Sequence, residues 1–176
     1  MLTANPIALR EMLTIRKGQQ EDSQSIRSVH TAAVSGIRTE FYTSEEIQAW
    51  AVPKKLESYW ESIRSKEFFV AEDDGIIIGF GVLNPESAEV EAVYVSPEAG
   101  GHGIGRELLR KLEETARVRG LGVLRLNASL NAVPFYKKAG YVAQEQSKYR
   151  LTTGVEIACV PMMKLIDEAA ILEDGA

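Results

Sequence analysis

The chain has 176 residues with 45% hydrophobic and 26% charged side chains, a composition typical of one globular domain. Its formal net charge of −5 argues against a general nucleic-acid binder, which usually carries a basic surface. The single cysteine, Cys159, excludes an intrachain disulfide and favours a cytoplasmic setting, and neither it nor the two histidines show the spacing of metal ligands.

Strand and helix signals alternate along residues 12–166, which predicts one α/β or α+β domain. We expect residues 1–11 to form an extension that does not resemble a signal peptide, and residues 167–176 to form a polar tail. No apolar run reaches the ~18 residues of a membrane-spanning helix. Strands are predicted at residues 13–16, 68–71, 76–83, 89–95, 123–128, 141–146 and 155–163. Helices are predicted to begin near residues 22, 43, 56, 104 and 132.

Local signals define several of these boundaries. Asp22 or Ser23 is expected to cap the first helix with its side-chain oxygen. Thr43 and Glu46 have the spacing of a capping box, in which the two residues satisfy each other's free N–H groups. The pair 74–75, Asp-Gly, tolerates positive φ and predicts a hairpin turn.

The most informative segment is a glycine-rich turn, Gly100–Gly105, between the strand at 89–95 and the next helix. Glycines let the backbone approach a ligand closely, and a helix start offers free N–H groups with partial positive charge. The turn therefore predicts a phosphate site. A P-loop would need Lys and Ser/Thr after Gly105, where Arg106 and Glu107 stand. A dinucleotide fingerprint would need glycine at 106 or 108, so both of these cofactor classes are disfavoured.

Two blocks of sequence resemble the GNAT superfamily of acetyl-CoA-dependent N-acetyltransferases. The first is the turn itself, Gly-Gly-His-Gly-Ile-Gly at 100–105, and the second is Ala132 to Tyr141, which contains Phe135-Tyr136 and Gly140. The resemblance implies an α+β fold with a central mixed, mostly antiparallel sheet of six to seven strands. Four to five helices would flank this sheet, and its fourth and fifth strands would splay apart.

The same resemblance implies an acetyl-CoA site, with the pantetheine arm in the gap between the splayed strands. The backbone of the fourth strand would bind the arm, the glycine turn would bind the pyrophosphate, and a side chain after the fifth strand would touch the arm while its neighbour caps the short helix. These cofactor-binding residues are Val93, Tyr94, Val95, Gly100, Gly101, His102, Gly103, Ile104, Gly105, Arg106, Ser129 and Asn131. Gly100 departs from the family's Arg or Gln, so Arg106 or Arg110 is a candidate for the missing positive charge.

Acetyl transfer requires a neutral amine, and an alkylamine with a pKa near ~10.4 holds its proton at neutral pH. A general base is therefore expected. Glu89 and Glu91 lie two residues apart on one strand and face the same side, so either one, acting through water, is the predicted base. By resemblance, Tyr136 is the general acid for the departing thiolate, and the Val93 N–H stabilises the oxyanion.

The acceptor site is implied to lie among the first helices, with Phe41, Tyr42 and Trp50 as candidate lining residues. His30 is interpreted as a packed or surface histidine. The predicted partners are acetyl-CoA and an amine on a small molecule or protein, with neither a nucleic acid nor a membrane. A homodimer stays open because dimers are common in the family. An acetyl-CoA sensor without catalysis is the alternative function, and a tRNA-acetylating toxin is disfavoured by the acidic charge.

Overall fold

The computed structural model describes residues 13–166, so the predicted extension at 1–11 and the tail at 167–176 lie outside the described residues. Its strands are β1 (Leu13–Lys17), β2 (Glu67–Asp73), β3 (Ile76–Asn84), β4 (Glu89–Val95), β5 (Val123–Ser129), β6 (Val142–Ala143), β7 (Ser147–Arg150) and β8 (Glu156–Leu165). Its α-helices are α1 (Ser23–Ser35), α2 (Ser44–Trp50), α3 (Leu56–Ser65), α4 (Ile104–Val118) and α5 (Val133–Lys138).

The strands form one mixed sheet in the order β1-β2-β3-β4-β5-β8-β6, and β7 also pairs with β8. Only β4 and β5 run parallel, while the other pairs among residues 13–166 are antiparallel. This architecture confirms the predicted fold class. The sheet has eight strands because the segment predicted as a strand at 141–146 contains only the short β6, and β7, which follows it, was not predicted. The break between them lies opposite Pro161, which has no N–H to offer a partner strand.

Apolar clusters cover both faces of the sheet. On one face α4 packs Leu108 and Leu112 against the strands, and this face includes Tyr136 of α5. On the other face Ile26 of α1 and Tyr59 of α3 pack against Phe68 and other strand residues. No helix within residues 13–166 is long and apolar enough to cross a bilayer. The two helical layers therefore pack on opposite faces of the sheet.

A β-bulge in β4 changes which side chains face each layer. Val82 of β3 pairs with Ala92, and the next β3 residue pairs with Val90, so Glu91 is an extra residue in β4. Val90 consequently packs on the α4 face, whereas Ala92 packs on the α1 and α3 face. A bulge of this kind redirects side chains and strengthens the local twist of the strand. It lies where β4 carries both predicted catalytic carboxylates.

The start of the first helix differs from its prediction, whereas two other local signals are confirmed. The helical rise begins one turn early, at Gln20, and the Asp22 carboxylate accepts from the Gln19 N–H at 2.8 Å instead of capping α1. The Arg16 guanidinium also donates to this carboxylate, at 2.8 Å. The capping box at Thr43 is present, and the Asp-Gly pair at 74–75 has φ of 48° and 78°.

Candidate active site

The gap between β4 and β5 is the central feature of the site. The two parallel strands share a single paired position, Glu89 with Arg125, and the Arg125 N–H donates to the Ala88 carbonyl oxygen at 3.0 Å. Beyond that point the strands have no register with each other. A parallel pair normally continues its ladder of evenly spaced bonds along both strands. The early end of this ladder leaves a slot in the sheet beside the second half of β4.

Backbone groups of β4 face this slot at alternate residues. The Ser96 N–H donates to the Ile78 carbonyl oxygen on β3 at 2.7 Å. Because successive residues of a strand direct their backbone groups to opposite edges, Val93 and Val95 turn theirs away from β3 and toward the slot. Tyr94 instead turns its backbone toward β3, so only two of the three predicted backbone contacts face the slot.

The glycine turn lies at the same end of β4 and has an open surface. Gly101 and Gly103 have φ of +80° and +79°, and a Cβ atom at either position would meet no other atom within 4 Å. The first helical hydrogen bond of α4 runs from the Glu107 N–H to the Gly103 carbonyl oxygen. The N–H groups of residues 104–106 therefore precede the intrahelical ladder and are available to an anion.

This turn and slot fit the pyrophosphate and the extended arm of acetyl-CoA. The turn presents free donors beside unfilled space, and the slot presents unpaired peptide groups in line with it. Gly105 has another role, because a Cβ there would lie 3.4 Å from Phe135. It allows α5 to pack against the start of α4. His102, Arg106 and Gly100 are exposed. Gly100 follows the short helical turn at 97–99, and its own φ is negative.

A cavity of about 660 Å³ opens on the α1 and α3 face of the sheet, next to the slot. Both predicted carboxylates, Glu89 and Glu91, line it, as does the side chain of Tyr94. On the β5 side its wall includes Asn127 and Ser129. The structure therefore brings the predicted bases to one cavity at the edge of the predicted cofactor slot.

The two carboxylates have different surroundings. Glu91 is held by the Lys66 ammonium at 2.5 Å and by the Asn84 amide at 3.1 Å. The Glu89 carboxylate has no hydrogen bond or ion pair among the described residues. Burial, with a contribution from the negative charge of Glu91, raises the pKa of Glu89. Glu89 is therefore the carboxylate that is free to take a proton.

Tyr136 lies on the other side of the slot, buried in the α4-face cluster. Its ring packs edge-on against Phe135 and Tyr141, with centroid distances of 5.0 and 5.7 Å. Its hydroxyl makes no hydrogen bond within residues 13–166 and interacts electrostatically with that of Tyr94. Burial raises the pKa of Tyr136, so the phenol is held in its neutral, proton-donating form.

The remaining predicted residues divide between the cavity and the surface. Ser129 lines the cavity, whereas Asn131 is exposed and does not. The prediction that one of these two side chains caps the short helix is wrong, because neither Ser129 nor Ala132, at the two N-cap positions, makes a side-chain cap bond. Proline in the first turn of α5 supplies the helical φ instead.

The three candidate acceptor residues have separate locations. Trp50 lines the cavity, and its ring packs edge-on against Tyr42 at 5.5 Å. Tyr42 also lines it, but its hydroxyl is fully used, donating to the Ala158 carbonyl oxygen at 2.7 Å and accepting from the Leu130 N–H at 2.9 Å. Phe41 is 37% exposed and does not line the cavity.

Sequence reasoning missed a histidine–tyrosine pair in the cavity wall. His30 of α1 and Tyr59 of α3 share a hydrogen bond of 2.7 Å between Nδ1 and the hydroxyl, and both line the cavity. Burial, helped by the positive charge of Lys54, lowers the pKa of His30 to about 4, so the imidazole is neutral at pH 7. The available signal was the position of His30 on the apolar stripe of α1, four residues after Ile26.

Cys159 occupies the cavity wall as a buried residue, and burial raises the pKa of its thiol. A protonated thiol is a poor nucleophile, which agrees with its interpretation as a small packed residue. No three His, Cys, Asp or Glu side chains within the described range are placed to hold a metal ion.

Comparison with known proteins relates this site to a family. The model of the acetyltransferase (GNAT) domain matches residues 38–166. MJ1207, an uncharacterized N-acetyltransferase of Methanocaldococcus jannaschii, is 27% identical over 148 residues, which cover 77% of this chain and 63% of MJ1207. This chain thus spans less than two thirds of that relative's length.

Two solved structures extend the comparison. A GCN5-related N-acetyltransferase from Rhodopseudomonas palustris matches with a TM-score of 0.81 at 26% identity, covering 86% of this chain and 94% of that one. The PaiA N-acetyltransferase of Thermoplasma acidophilum, solved with coenzyme A, shares the fold with a TM-score of 0.72 at 23% identity, covering 87% and 98%. Since the GNAT domain model spans well over half of the sequence, the chain belongs to the GNAT family of acetyltransferases.

Proposed function

We propose that this chain transfers the acetyl group of acetyl-CoA directly to a primary amine, in a ternary complex of protein, acetyl-CoA and amine. The observation that carries the proposal is the slot between β4 and β5, which joins the open glycine turn to the cavity that contains Glu89. The coenzyme A bound in the PaiA structure supports the same co-substrate here.

In this proposal the N–H groups of residues 101–106 bind the pyrophosphate. The outward-facing peptide groups of Val93 and Val95 bind the arm and place the thioester in the slot. Arg110 is paired with Glu107 and Glu114, so the exposed Arg106 is better placed to supply the charge that Gly100 lacks. Ser129 contacts the arm from the β5 side.

Glu89 acts as the general base through water. It takes a proton from the ammonium of the acceptor, and the neutral nitrogen then attacks the thioester carbonyl. The carbonyl oxygen gains negative charge, which the Val93 N–H stabilises. When the new C–N bond is complete, the C–S bond breaks, the nitrogen releases its second proton, and the sulfur gains one.

Tyr136 serves the departing sulfur. Its raised pKa means that the phenol keeps its own proton strongly, so it first stabilises the developing thiolate as a hydrogen-bond donor. A solvent proton can then complete the thiol. This role uses the neutral Tyr136 hydroxyl, which has no hydrogen-bond partner among residues 13–166.

A Tyr136→Phe variant tests this function with Tyr141→Phe as the matched control, since both tyrosines belong to the same buried cluster. Thiol release from acetyl-CoA is followed with the best acceptor of a primary-amine panel, and acetyl-CoA affinity is measured by calorimetry. We expect Y136F to lower kcat ~100-fold with unchanged affinity, and Y141F to stay within about twofold. Full activity of Y136F would contradict the proposed acid, and acetyl-CoA binding without any turnover of the parent protein would favour the sensor.

A further inference from the structure

Four aromatic side chains, His30, Tyr94, Phe80 and Phe68, pack together in the wall of the cavity and form what we call the aromatic chamber. His30 and Tyr94 lie with ring centroids 4.6 Å apart, Phe80 lies 5.5 Å from Tyr94, and Phe68 stacks on Phe80 at 5.5 Å. Phe68 and Phe80 are each only 2% exposed although they line the cavity, so they form its floor. Aromatic rings in such walls favour a ligand ring in offset or edge-on contact. A short aliphatic chain would leave this surface unfilled.

The charged groups around the chamber leave one cation without a partner. Lys66 and Glu91 neutralise each other at 2.5 Å. Lys54, in the segment between α2 and α3, lines the cavity and forms no ion pair with any residue that the structure describes. Burial lowers the pKa of Lys54, and the negative charge of Glu91 offsets part of this effect.

Lys54 lines the same cavity as the four rings of the aromatic chamber and the two carboxylates of β4. Its positive charge lowers the pKa of His30, which agrees with this placement. One ligand could therefore contact the chamber, Lys54 and the carboxylates together. A carboxylate beside Lys54 would restore a favourable ion pair, whereas a second ammonium group would be repelled.

We propose that the acceptor is a primary amine on a ring-bearing small molecule that also carries a carboxylate, with its ring in the aromatic chamber, its carboxylate at Lys54 and its amine beside Glu89. This inference rests on the proposed acetyl transfer and specifies the acceptor class. It disfavours polyamines, which have neither ring nor anion.

Four probes separate the parts of the proposal: phenylalanine, phenethylamine without the carboxylate, alanine without the ring, and spermidine. Thiol release from acetyl-CoA gives kcat/KM for each. We expect kcat/KM for phenylalanine to exceed that for each of the other probes by at least ~10-fold, because each of them lacks the charge-assisted contact, the buried ring or both. A preference for alanine or spermidine would overturn the proposal.

The Lys54→Met variant tests the carboxylate contact, with Lys55→Met as control because Lys55 is exposed next to it and does not line the cavity. We expect K54M to lower the ratio of kcat/KM for phenylalanine to that for phenethylamine by ~10-fold or more, and K55M to leave the ratio unchanged. An unchanged ratio in K54M would overturn the role of Lys54.

Calorimetric titration of phenylalanine into the protein–coenzyme A complex distinguishes this inference from the proposed function. Binding that depends on Lys54, without thiol release from acetyl-CoA, would support the ligand class and contradict acetyl transfer. Thiol release with other amines, without phenylalanine binding, would support acetyl transfer and contradict the ligand class. If neither binding nor thiol release is observed, both are contradicted.

Discussion

The Lys66 ammonium lies 2.5 Å from the Glu91 carboxylate, and this ion pair makes the two glutamates of β4 chemically different. Glu89, two residues earlier on the same strand, forms no ion pair within residues 13–166, and burial raises its pKa. A carboxylate already neutralised by a cation is a weaker proton acceptor than one without a partner. The ion pair therefore favours Glu89 over Glu91 as the proposed general base, where the sequence left both residues open.

This assignment predicts different effects for two isosteric substitutions. Glu89→Gln should lower kcat by ~10²–10⁴, the usual contribution of a general base, with little change in acetyl-CoA affinity. Glu91→Gln should retain most of the rate because its carboxylate is engaged by Lys66. Steady-state kinetics at saturating acetyl-CoA measure both variants. Equal losses in the two, or a greater loss in E91Q, would contradict the assignment.

Replacing a glycine of the turn is predicted to weaken acetyl-CoA binding, an effect that can be separated from the strain it puts on the backbone. Gly103→Ala places a methyl group at φ +79° in the space where the pyrophosphate is proposed to lie. Gly120→Ala is the control, because it has a φ of +71° and equally open surroundings at the far end of α4. Each should cost ~1–2 kcal/mol of folding free energy, whereas only G103A should weaken acetyl-CoA binding in a calorimetric titration. Equal affinities of the two variants would argue against the turn as the pyrophosphate site.

The lowered pKa of His30 is expected to make the free energy of unfolding depend on pH. Its folded-state pKa of about 4 lies below its unfolded value near 6.5, so the unfolded chain binds more protons between these pH values. The stability contribution is complete above pH ~6.5 and is lost as the pH falls toward ~4, amounting to ~3 kcal/mol at most.

Urea unfolding at several pH values measures this effect. In His30→Gln the fall in the free energy of unfolding between pH 6.5 and 4 should be smaller than in the parent protein. His102→Gln, in the exposed turn, should retain the parent's dependence. An unaltered pH profile in H30Q would refute the buried neutral state of His30.

Substitution of Tyr42 at the edge of the cavity is predicted to lower the stability of the fold. Tyr42→Phe removes the hydroxyl that connects Leu130 after β5 to Ala158 of β8, and leaves a partly buried N–H and a partly buried carbonyl without their partner. We expect a loss of ~2 kcal/mol in the free energy of unfolding. Tyr149→Phe, at a 50% exposed position, should change it by less than ~0.5 kcal/mol. A Y42F protein as stable as its parent would show that the two bonds contribute nothing.

Much of the fold was predictable because its signals are local. The Asp-Gly turn at 74–75, the capping box at Thr43 and the strand patterns around them depend on neighbouring residues only. The glycine turn was recognisable for the same reason, since positive φ at Gly101 and Gly103 requires glycine. The strands near 141–146 were harder, because their interruption depends on pairing with a distant proline in β8.

The candidate site was predictable only in part. Glu89 and Glu91 line one cavity, but the bulge at Glu91 interrupts the strand alternation from which a shared side was predicted. Their different surroundings depend on Lys66, which no motif indicates. The bulge at Glu91 needs the register with β3. His30 lies on the apolar stripe of α1, which indicates burial but not a place in the cavity wall, and nothing in the sequence around Lys54 indicates that it lines the same cavity.

Titration of the protein with acetyl-CoA, followed by measurement of thiol release in the presence and absence of primary amines, tests the proposed acetyl transfer most directly. We expect saturable binding and thiol release that depends on the amine, because we propose that the glycine turn and the slot bind acetyl-CoA beside Glu89. Failure of acetyl-CoA to bind would contradict the assigned cofactor site and, with it, the proposed reaction.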